Sequence, residues 1–406
     1  MTRNNAASGA IADHTPESFD PESKNIICVT IHLKSQVNGN TLRSAVDELR
    51  IRFPYFYIKA VRKGNQIITK PNDLPMIVRN TWKPITLNSK DSNYHLTTWK
   101  YEGSRLAFEV PHSLTDGAGV MPYIASVMYL YLSKETRIAF NPAGFRLPGS
   151  AIPKSETEDP FANIRAENAS NDESAYPDSD FFRLDEEMKA DNRKTAFYLK
   201  LSESQIMNYC KKHNGTPNVF VSVMLARAAR RLAPDSRKMV TVFVAADCKA
   251  IFKIHDNYKS YVGNLTLSFP ANRDLRDTTN AFTAARILLK KQAEPKNVLR
   301  ELKNMKSAGI PSDTPLGSFT VSYPNTRGFR ELSDHIEELY LTTSLSKITD
   351  ILCEITCVGG CFFMAFLQSS SSRRFLDCFL EELKSENISC EVLHEEPIEL
   401  CEIAPA

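Results

Sequence analysis

A short loop carries the residue types that acid–base chemistry needs. His112 directly follows the strand predicted over 105–110, and Asp116 directly precedes a predicted helix. The unperturbed pKa of histidine, about 6.5, lets an imidazole act as a general base near neutral pH. A carboxylate at a helix N-terminus can bond backbone N–H groups or pair with a cation, and so fix the loop that aims His112. Gly117 would let backbone and ligand approach closely. The pattern predicts a catalytic loop, against the simpler interpretation of a loop histidine beside a helix cap.

The sequence around this loop, AFEVPHSLTDGAGVMPYI, resembles the active-site segment of acyltransferases with the chloramphenicol acetyltransferase-like fold. These include alcohol acetyltransferases, plant HxxxD acyltransferases and the condensation domains of nonribosomal peptide synthetases. The resemblance extends weakly over residues 26–393, and the His112 loop is its specific part. It implies that His112 is the general base that deprotonates an acceptor hydroxyl or amine, which then attacks a thioester. It also implies that Asp116 is structural and turned toward an arginine, for which Arg273 or Arg276 is available.

The sequence differs from two of these families at residues that are typical of them. Condensation domains usually place a second histidine before the catalytic one, where this chain has Pro111, and the Asp-Phe-Gly-Trp-Gly motif of the plant enzymes is absent. Among these acyltransferases, the sequence is most similar to the alcohol acetyltransferase or condensation-domain-like branch. In that branch Gly117, Asn264 and Ser322 are expected to contact substrate. The oxyanion of a tetrahedral intermediate needs a hydrogen-bond donor, and Asn264, Ser322 and a backbone N–H are the open alternatives.

The periodicity of the chain predicts two lobes of mixed α and β structure. An N-terminal lobe over 25–150 contains the His112 loop, and a C-terminal lobe over 195–406 has strands that return after helices. The segment 151–194 joins them and is interpreted as an acidic linker, because 153–191 contains twelve Asp and Glu residues but only four Lys and Arg. The fold class is therefore α/β with a mixed sheet and helices in each lobe. The resemblance implies that the active-site channel lies between the lobes.

Composition excludes several classes of protein. The 406 residues include 50 Lys and Arg and 48 Asp and Glu, and the net charge of +2 is too balanced for non-specific binding to nucleic acid or to an anionic membrane. No segment is predicted to span a membrane, and residues 1–24 form a polar, flexible tail without the pattern of a signal peptide. The nine Cys lack the spacing of a disulfide framework, so a cytoplasmic protein with reduced thiols is expected.

Two further clusters invite a ligand-binding interpretation. Cys353, Cys357 and Cys361 have a suggestive spacing, but a hairpin turning at Gly359-Gly360 would put Cys361 on the opposite face, so no metal site is predicted. Five cations at helix ends could hold the phosphates of coenzyme A, although such clusters are usually solvated faces: Lys211, Lys212, Arg227, Arg230 and Arg231.

These features and the resemblance together predict an acyltransferase that moves an acyl group from acyl-CoA to an alcohol, with no permanently bound cofactor. An amine acceptor, or an acyl carrier protein as donor in a condensation-like reaction, is the alternative within this class. A non-catalytic relative that binds a thioester or a carrier protein is the alternative outside it.

Overall fold

The computed structural model describes residues 25–159, 180–188, 191, 193–308, 315–324, 327–345 and 347–406 of the chain. The predicted tail over 1–24 and the middle of the acidic segment lie outside these residues. In chain order the strands are β1 (Ile26–Leu33), β2 (Ile58–Lys63), β3 (Gln66–Pro71), β4 (Val78–Asn80), β5 (Thr98–Glu102), β6 (Arg105–Pro111), β7 (Thr195–Ser202), β8 (Val240–Asp247), β9 (Val262–Phe269), β10 (Phe319–Ser322), β11 (Ile336–Thr343), β12 (Ile351–Val358), β13 (Cys361–Gln368) and β14 (Cys390–Pro397). The helices are α1 (Gly39–Glu48), α2 (Gly117–Thr136), α3 (Lys154–Thr157), α4 (Leu184–Glu187), α5 (Glu203–Lys212), α6 (Pro217–Leu232), α7 (Cys248–Ile251), α8 (Thr278–Gln292), α9 (Pro295–Ala308) and α10 (Arg374–Ser385). Within the described ranges, no helix is both long enough and apolar enough to cross a bilayer.

The first sheet positions the His112 loop. Its five strands run in the order β11-β1-β6-β5-β4, and β1 pairs antiparallel with β6 and with β11. Helices α1 and α2 share a core with this sheet, because the apolar face of α1 buries Leu42, Ala45 and Val46, as its 3.6-residue spacing predicts. Asn38 caps α1, because its side-chain oxygen accepts hydrogen bonds from the N–H groups of Asn40 and Thr41. The loop follows β6 directly and ends at α2.

The second sheet has seven strands in the order β14-β7-β13-β12-β10-β8-β9, and α5, α6, α8 and α10 enclose a second core with it. The predicted hairpin of β12 and β13 is confirmed, with Val358 opposite Cys361. Gly359 and Gly360 have φ values of +57° and +74°, which a two-residue hairpin turn requires. Cys353 and Cys357 lie in the second core, whereas Cys361 packs against the first, so the three thiols do not converge.

Chain segments far apart in sequence join the two sheets. Strand β11 belongs to the second half of the chain, yet it pairs with β1 at the edge of the first sheet. The C-terminal residues also return to the first half of the chain, where Ile403 forms an isolated bridge with Leu87. The prediction that 195–406 forms a separate C-terminal lobe is therefore wrong for these two segments, which pair with residues of the first half of the chain. Burial of apolar faces decides which strands pair, and order in the chain does not.

The described ends of the acidic segment are packed. Glu156 on α3 is fully buried and forms ion pairs with Arg52 at 2.7 Å and Arg146 at 3.1 Å. Phe182 and Leu184, at the other end, lie in the second core. The interpretation of 151–194 as a linker does not hold at these ends, because apolar and ion-paired residues within an acidic run can be buried.

Candidate active site

A cleft of about 500 Å³ opens between the two sheets. Its walls come from β1 and β11 of the first sheet, from β8, β9, β10 and β12 of the second, and from the start of α2. Five residues predicted from the sequence to act at the site line this cleft together: His112, Asp116, Gly117, Asn264 and Ser322. Arg273, the expected partner of Asp116, does not line it.

His112 is held at the wall of the cleft by its backbone and its ring. Its N–H donates to the carbonyl of Asn25 at 2.8 Å, which ties the loop to the segment before β1. Its Nδ1 lies 3.3 Å from Ser260 Oγ, and the ring also bonds the carbonyl of His112 itself. Burial lowers the pKa of the imidazole, and the bond to its own carbonyl only partly opposes that effect. Because Nδ1 is the nitrogen that can reach this carbonyl, Nε2 is left as the free base that can accept a proton.

Asp116 is a buried anchor of the loop. Its carboxylate accepts hydrogen bonds from the backbone N–H of Gly119 at 2.7 Å and of Tyr261 at 2.9 Å. Lys249 Nζ forms an ion pair with both carboxylate oxygens, at 2.7 and 2.8 Å, and also donates to the carbonyl of Lys259. Both side chains are almost completely buried, and the carboxylate has one charged partner, Lys249, beside the two backbone N–H donors. This network joins α2 to the loop 249–261 of the second half.

The assignment of Arg273 or Arg276 as the partner of Asp116 is therefore wrong. Lys249 follows β8, at the end where Asp247 pairs with Val262, and Asp116 lies at that end of the sheet. Arg273 follows the other end of β9, and seven residues of extended chain span roughly 23 Å. Arg276 instead pairs with Glu382 at 2.6 Å.

Gly119 lets the two halves of the chain approach closely. A Cβ atom on Gly119 would clash with the backbone carbonyl of Tyr258 and with the side chain of Thr115. Thr115 Oγ1 donates to that same carbonyl at 2.6 Å. The small residue is therefore required for the approach of protein backbone. At Gly117 the fit is looser, because an added Cβ would meet only the side chains of Pro324 and Leu341, at 3.0 Å or more.

The arginines among the cations considered for phosphate binding have partners within the protein. Arg227 donates to the carbonyl of Leu275 and to Glu386, and Arg230 donates to the carbonyls of Ser236 and Phe269. Arg231 pairs with Glu382 at 2.7 Å. None of the five cations, which include the exposed Lys211 and Lys212, lines the cleft within the described part of the chain.

Comparisons with known proteins match the chain by structure and not by sequence. No protein-family model matches it, and no curated protein does. Polyketide synthase associated protein 5 from Mycobacterium tuberculosis superposes with a TM-score of 0.60 at 15% identity, over 89% of this chain and 93% of that one. F. sporotrichioides TRI101, solved with coenzyme A and T-2, superposes with a TM-score of 0.57 at 11% identity, over 92% and 96%. The starter condensation domain of rhizomide synthetase, solved with C8-CoA, gives 0.55 at 11% identity, over 91% and 89%.

The chain has the chloramphenicol acetyltransferase-like fold. The similarity covers about nine-tenths of the chain, and the two mixed sheets flanked by helices are those expected from the sequence. Two further acidic residues line the cleft: Asp247 at the end of β8, and Glu354 in the middle of β12. The side chains of Ser322 and Thr343 hydrogen-bond its carboxyl group, but one oxygen, Oε2, is buried without a hydrogen-bond partner among the described residues. Burial raises the pKa of Glu354 to about 7, and the two hydroxyl groups only partly oppose this.

Two of these polar groups were missed from the sequence. Lys249 was missed because the resemblance implied an arginine, although its place directly after a buried strand was a usable signal. Glu354 is the single charged residue in ILCEITCV, and a lone carboxylate in a buried strand usually has a specific role. The hydrogen bond of Ser322 to Glu354 also affects the role predicted for Ser322 as a donor to the oxyanion. While the carboxyl is ionised, the Ser322 hydroxyl donates to it and is not free for an oxyanion.

Proposed function

We propose that this chain is an acyltransferase that moves an acyl group from acyl-CoA to an alcohol. The observation that carries the proposal is the position of His112, an imidazole with lowered pKa that lines a large cleft at the end of a loop anchored by Asp116 and Lys249. A histidine that stays neutral near pH 7 can accept a proton, and the anchored loop fixes its direction.

In the proposed reaction Nε2 of His112 removes the proton of the acceptor hydroxyl. The oxygen attacks the thioester carbonyl and forms a tetrahedral intermediate with a negatively charged oxygen. When the intermediate collapses, the carbon–sulfur bond breaks and the protonated His112 gives its proton to the leaving thiolate. The carboxylate of Asp116 takes no part in proton transfer, because its oxygens bond Lys249 and two backbone N–H groups.

The cleft wall suits an apolar acyl chain beside a polar reaction centre. Its apolar lining includes five side chains: Ile27, Leu341, Leu345, Ile348 and Leu352. Its polar lining includes Asn264, Ser322 and Thr320. Asn264 is the stronger candidate for the oxyanion donor, because the Ser322 hydroxyl is bonded to Glu354. Two structural neighbours were solved with coenzyme A or an acyl-CoA, and this supports coenzyme A as the carrier of the donor group.

The proposal is tested by incubating the purified chain with acyl-CoA donors of several lengths and a panel of alcohols and amines. Thiol release is followed with a chromogenic disulfide, and the acylated acceptor is identified by mass spectrometry. Acceptor-dependent thiol release with a matching acylated product is the expected result. Acylation from a carrier-protein thioester alone would replace coenzyme A as donor. Binding of acyl-CoA without any acylated acceptor would favour a non-catalytic relative and contradict the proposal.

A further inference from the structure

A second polar cluster lies on the other side of the first sheet, outside the cleft. It contains His32 on β1, Glu338 on β11 and His394 on β14. Nδ1 of His32 lies 3.2 Å from Oε2 of Glu338, and Nε2 of His394 lies 3.0 Å from the same oxygen. One donor atom from each of the three side chains lies within 4.8 Å of the donor atoms of the other two. Two donor atoms bonded to one Zn²⁺ at the corners of a tetrahedron are separated by about 3.3 Å, so both distances from Oε2 of Glu338 are compatible with a shared ion.

Strand pairing places these side chains together, and it is irregular beside two of them. His32 pairs with Glu338, and the register of β1 and β11 shifts directly after this pair, between His32 and Leu33. The pairing of β14 with β7 shifts between Val392 and His394. His32 and Glu338 face each other as a regular cross-strand pair. The irregularity in β14 lies directly beside His394, which meets Glu338 from the second sheet.

The surroundings leave the cluster available to a cation. His32 and His394 line a separate cavity of about 200 Å³. The two cations that also line this cavity have carboxylate partners of their own, since Lys100 pairs with Glu109, and Arg105 with Glu102 and Glu396. The side chains of the cluster are partly accessible, with 20% exposure for His32, 12% for Glu338 and 37% for His394. An ion could reach them from solvent.

We propose that His32, Glu338 and His394 form a binding site for a divalent transition-metal ion of the Zn²⁺ class. Two imidazole nitrogens and one carboxylate oxygen are the donor set that Zn²⁺ accepts readily, whereas Mg²⁺ and Ca²⁺ prefer oxygen alone. Three protein ligands leave a fourth position for water at the cavity. The ion would fasten β14, an edge strand of the second sheet, to β1 and β11 of the first, so its role is to stabilise the fold. The site is independent of the proposed acyl transfer.

The test uses the full chain, purified without a histidine tag, stripped with a chelator and dialysed. Zn²⁺ is titrated by calorimetry, thermal unfolding is measured with and without Zn²⁺, and Co²⁺ is added as a spectroscopic probe of the ligand geometry. One Zn²⁺ per chain, a rise in Tm on binding, and a tetrahedral Co²⁺ absorption spectrum that Zn²⁺ abolishes are expected.

Two variants assign the site. Glu338→Gln keeps the shape of the side chain but weakens it as a ligand, and His394→Ala removes a partly exposed ring; each should abolish the stoichiometric binding and the Zn²⁺-dependent rise in Tm. His255→Ala, a change at an exposed histidine outside the cluster, should leave both unchanged. Each variant is compared with its own metal-free Tm, so a loss of stability alone cannot imitate the result. No stoichiometric binding to the native chain, or binding that survives both variants, would overturn the proposal and leave Glu338 as a hydrogen-bond acceptor shared by two histidines.

Discussion

Replacing Glu354 by glutamine should stabilise the protein at pH 8 and make little difference near pH 5. Glu354 is 4% exposed, and only one of its two oxygens has hydrogen-bond partners among the described residues. Glutamine has the same shape, and its amide oxygen can accept the bonds of Ser322 and Thr343. It carries no charge at any pH, so it removes the cost of burying a carboxylate.

The pKa of Glu354 gives the size and the sign of the effect. An ordinary glutamate has a pKa of 4.5, and burial raises the value in the folded protein to about 7. The folded state therefore holds this proton more tightly than the unfolded state, and stability falls as the pH rises from 4.5 through 7. At 1.36 kcal/mol for each pKa unit, the full loss above pH 7 is about 3 kcal/mol.

The assay is urea unfolding of the native chain and of Glu354→Gln at pH values from 5 to 9. Buried histidines with lowered pKa, such as His95 and His112, make stability rise with pH in the acid range, but they do so in both proteins. The difference between the two curves therefore isolates Glu354. Glu391→Gln, at an exposed position on β14, is the matched control and should show no such difference. Equal pH dependence in the native chain and in Glu354→Gln, or a less stable Glu354→Gln at pH 8, would refute the reasoning.

Three further predictions concern the loop. Lys249→Met should destabilise the protein by about 3–5 kcal/mol in urea unfolding, because it leaves the buried carboxylate of Asp116 without its cation; a loss below about 1 kcal/mol would show that the ion pair does not anchor the loop. The pH dependence of kcat/KM should show an acid limb with an apparent pKa below 6.5, because the neutral form of His112 is active and burial lowers its pKa; an acid limb above 7 would contradict this assignment. Gly119→Ala should lower the stability by about 1–3 kcal/mol, because its Cβ would clash with the carbonyl of Tyr258; an unchanged Tm would mean that the backbone can separate there at no cost.

Patterns within short stretches of sequence predicted the elements whose residues are neighbours in the chain. The hairpin of β12 and β13 followed from two apolar runs around Gly359-Gly360, and the structure has the same bounds and register. The apolar residues of α10 (Arg374–Ser385) likewise recur at helical spacing, and Phe375, Phe379 and Leu383 are buried. The His112 loop was also recognisable, because one strand, one loop and one helix follow directly in sequence and the loop residues line one cleft.

Long-range pairing and buried charge were not predictable in the same way. Strand β11 pairs with β1 across about 300 residues of chain, and the sequence of β11 does not indicate which strand it pairs with. The partner of Asp116 was sought among arginines after β9, although the topology brings Lys249, at the end of β8, beside it. His32, Glu338 and His394 are likewise distant in sequence, so they come together only when the two sheets are assembled.

The most direct test of the central claim is the rate of acceptor-dependent thiol release by His112→Ala, measured with the best donor and acceptor found for the native chain. The backbone bond from residue 112 to Asn25 does not need the imidazole, so the variant should keep its fold and its Tm. Loss of the general base should lower the rate by about 10²–10⁴-fold, whereas His255→Ala, outside the cleft, should keep the native rate. A folded His112→Ala that releases thiol within a few-fold of the native rate would contradict the account.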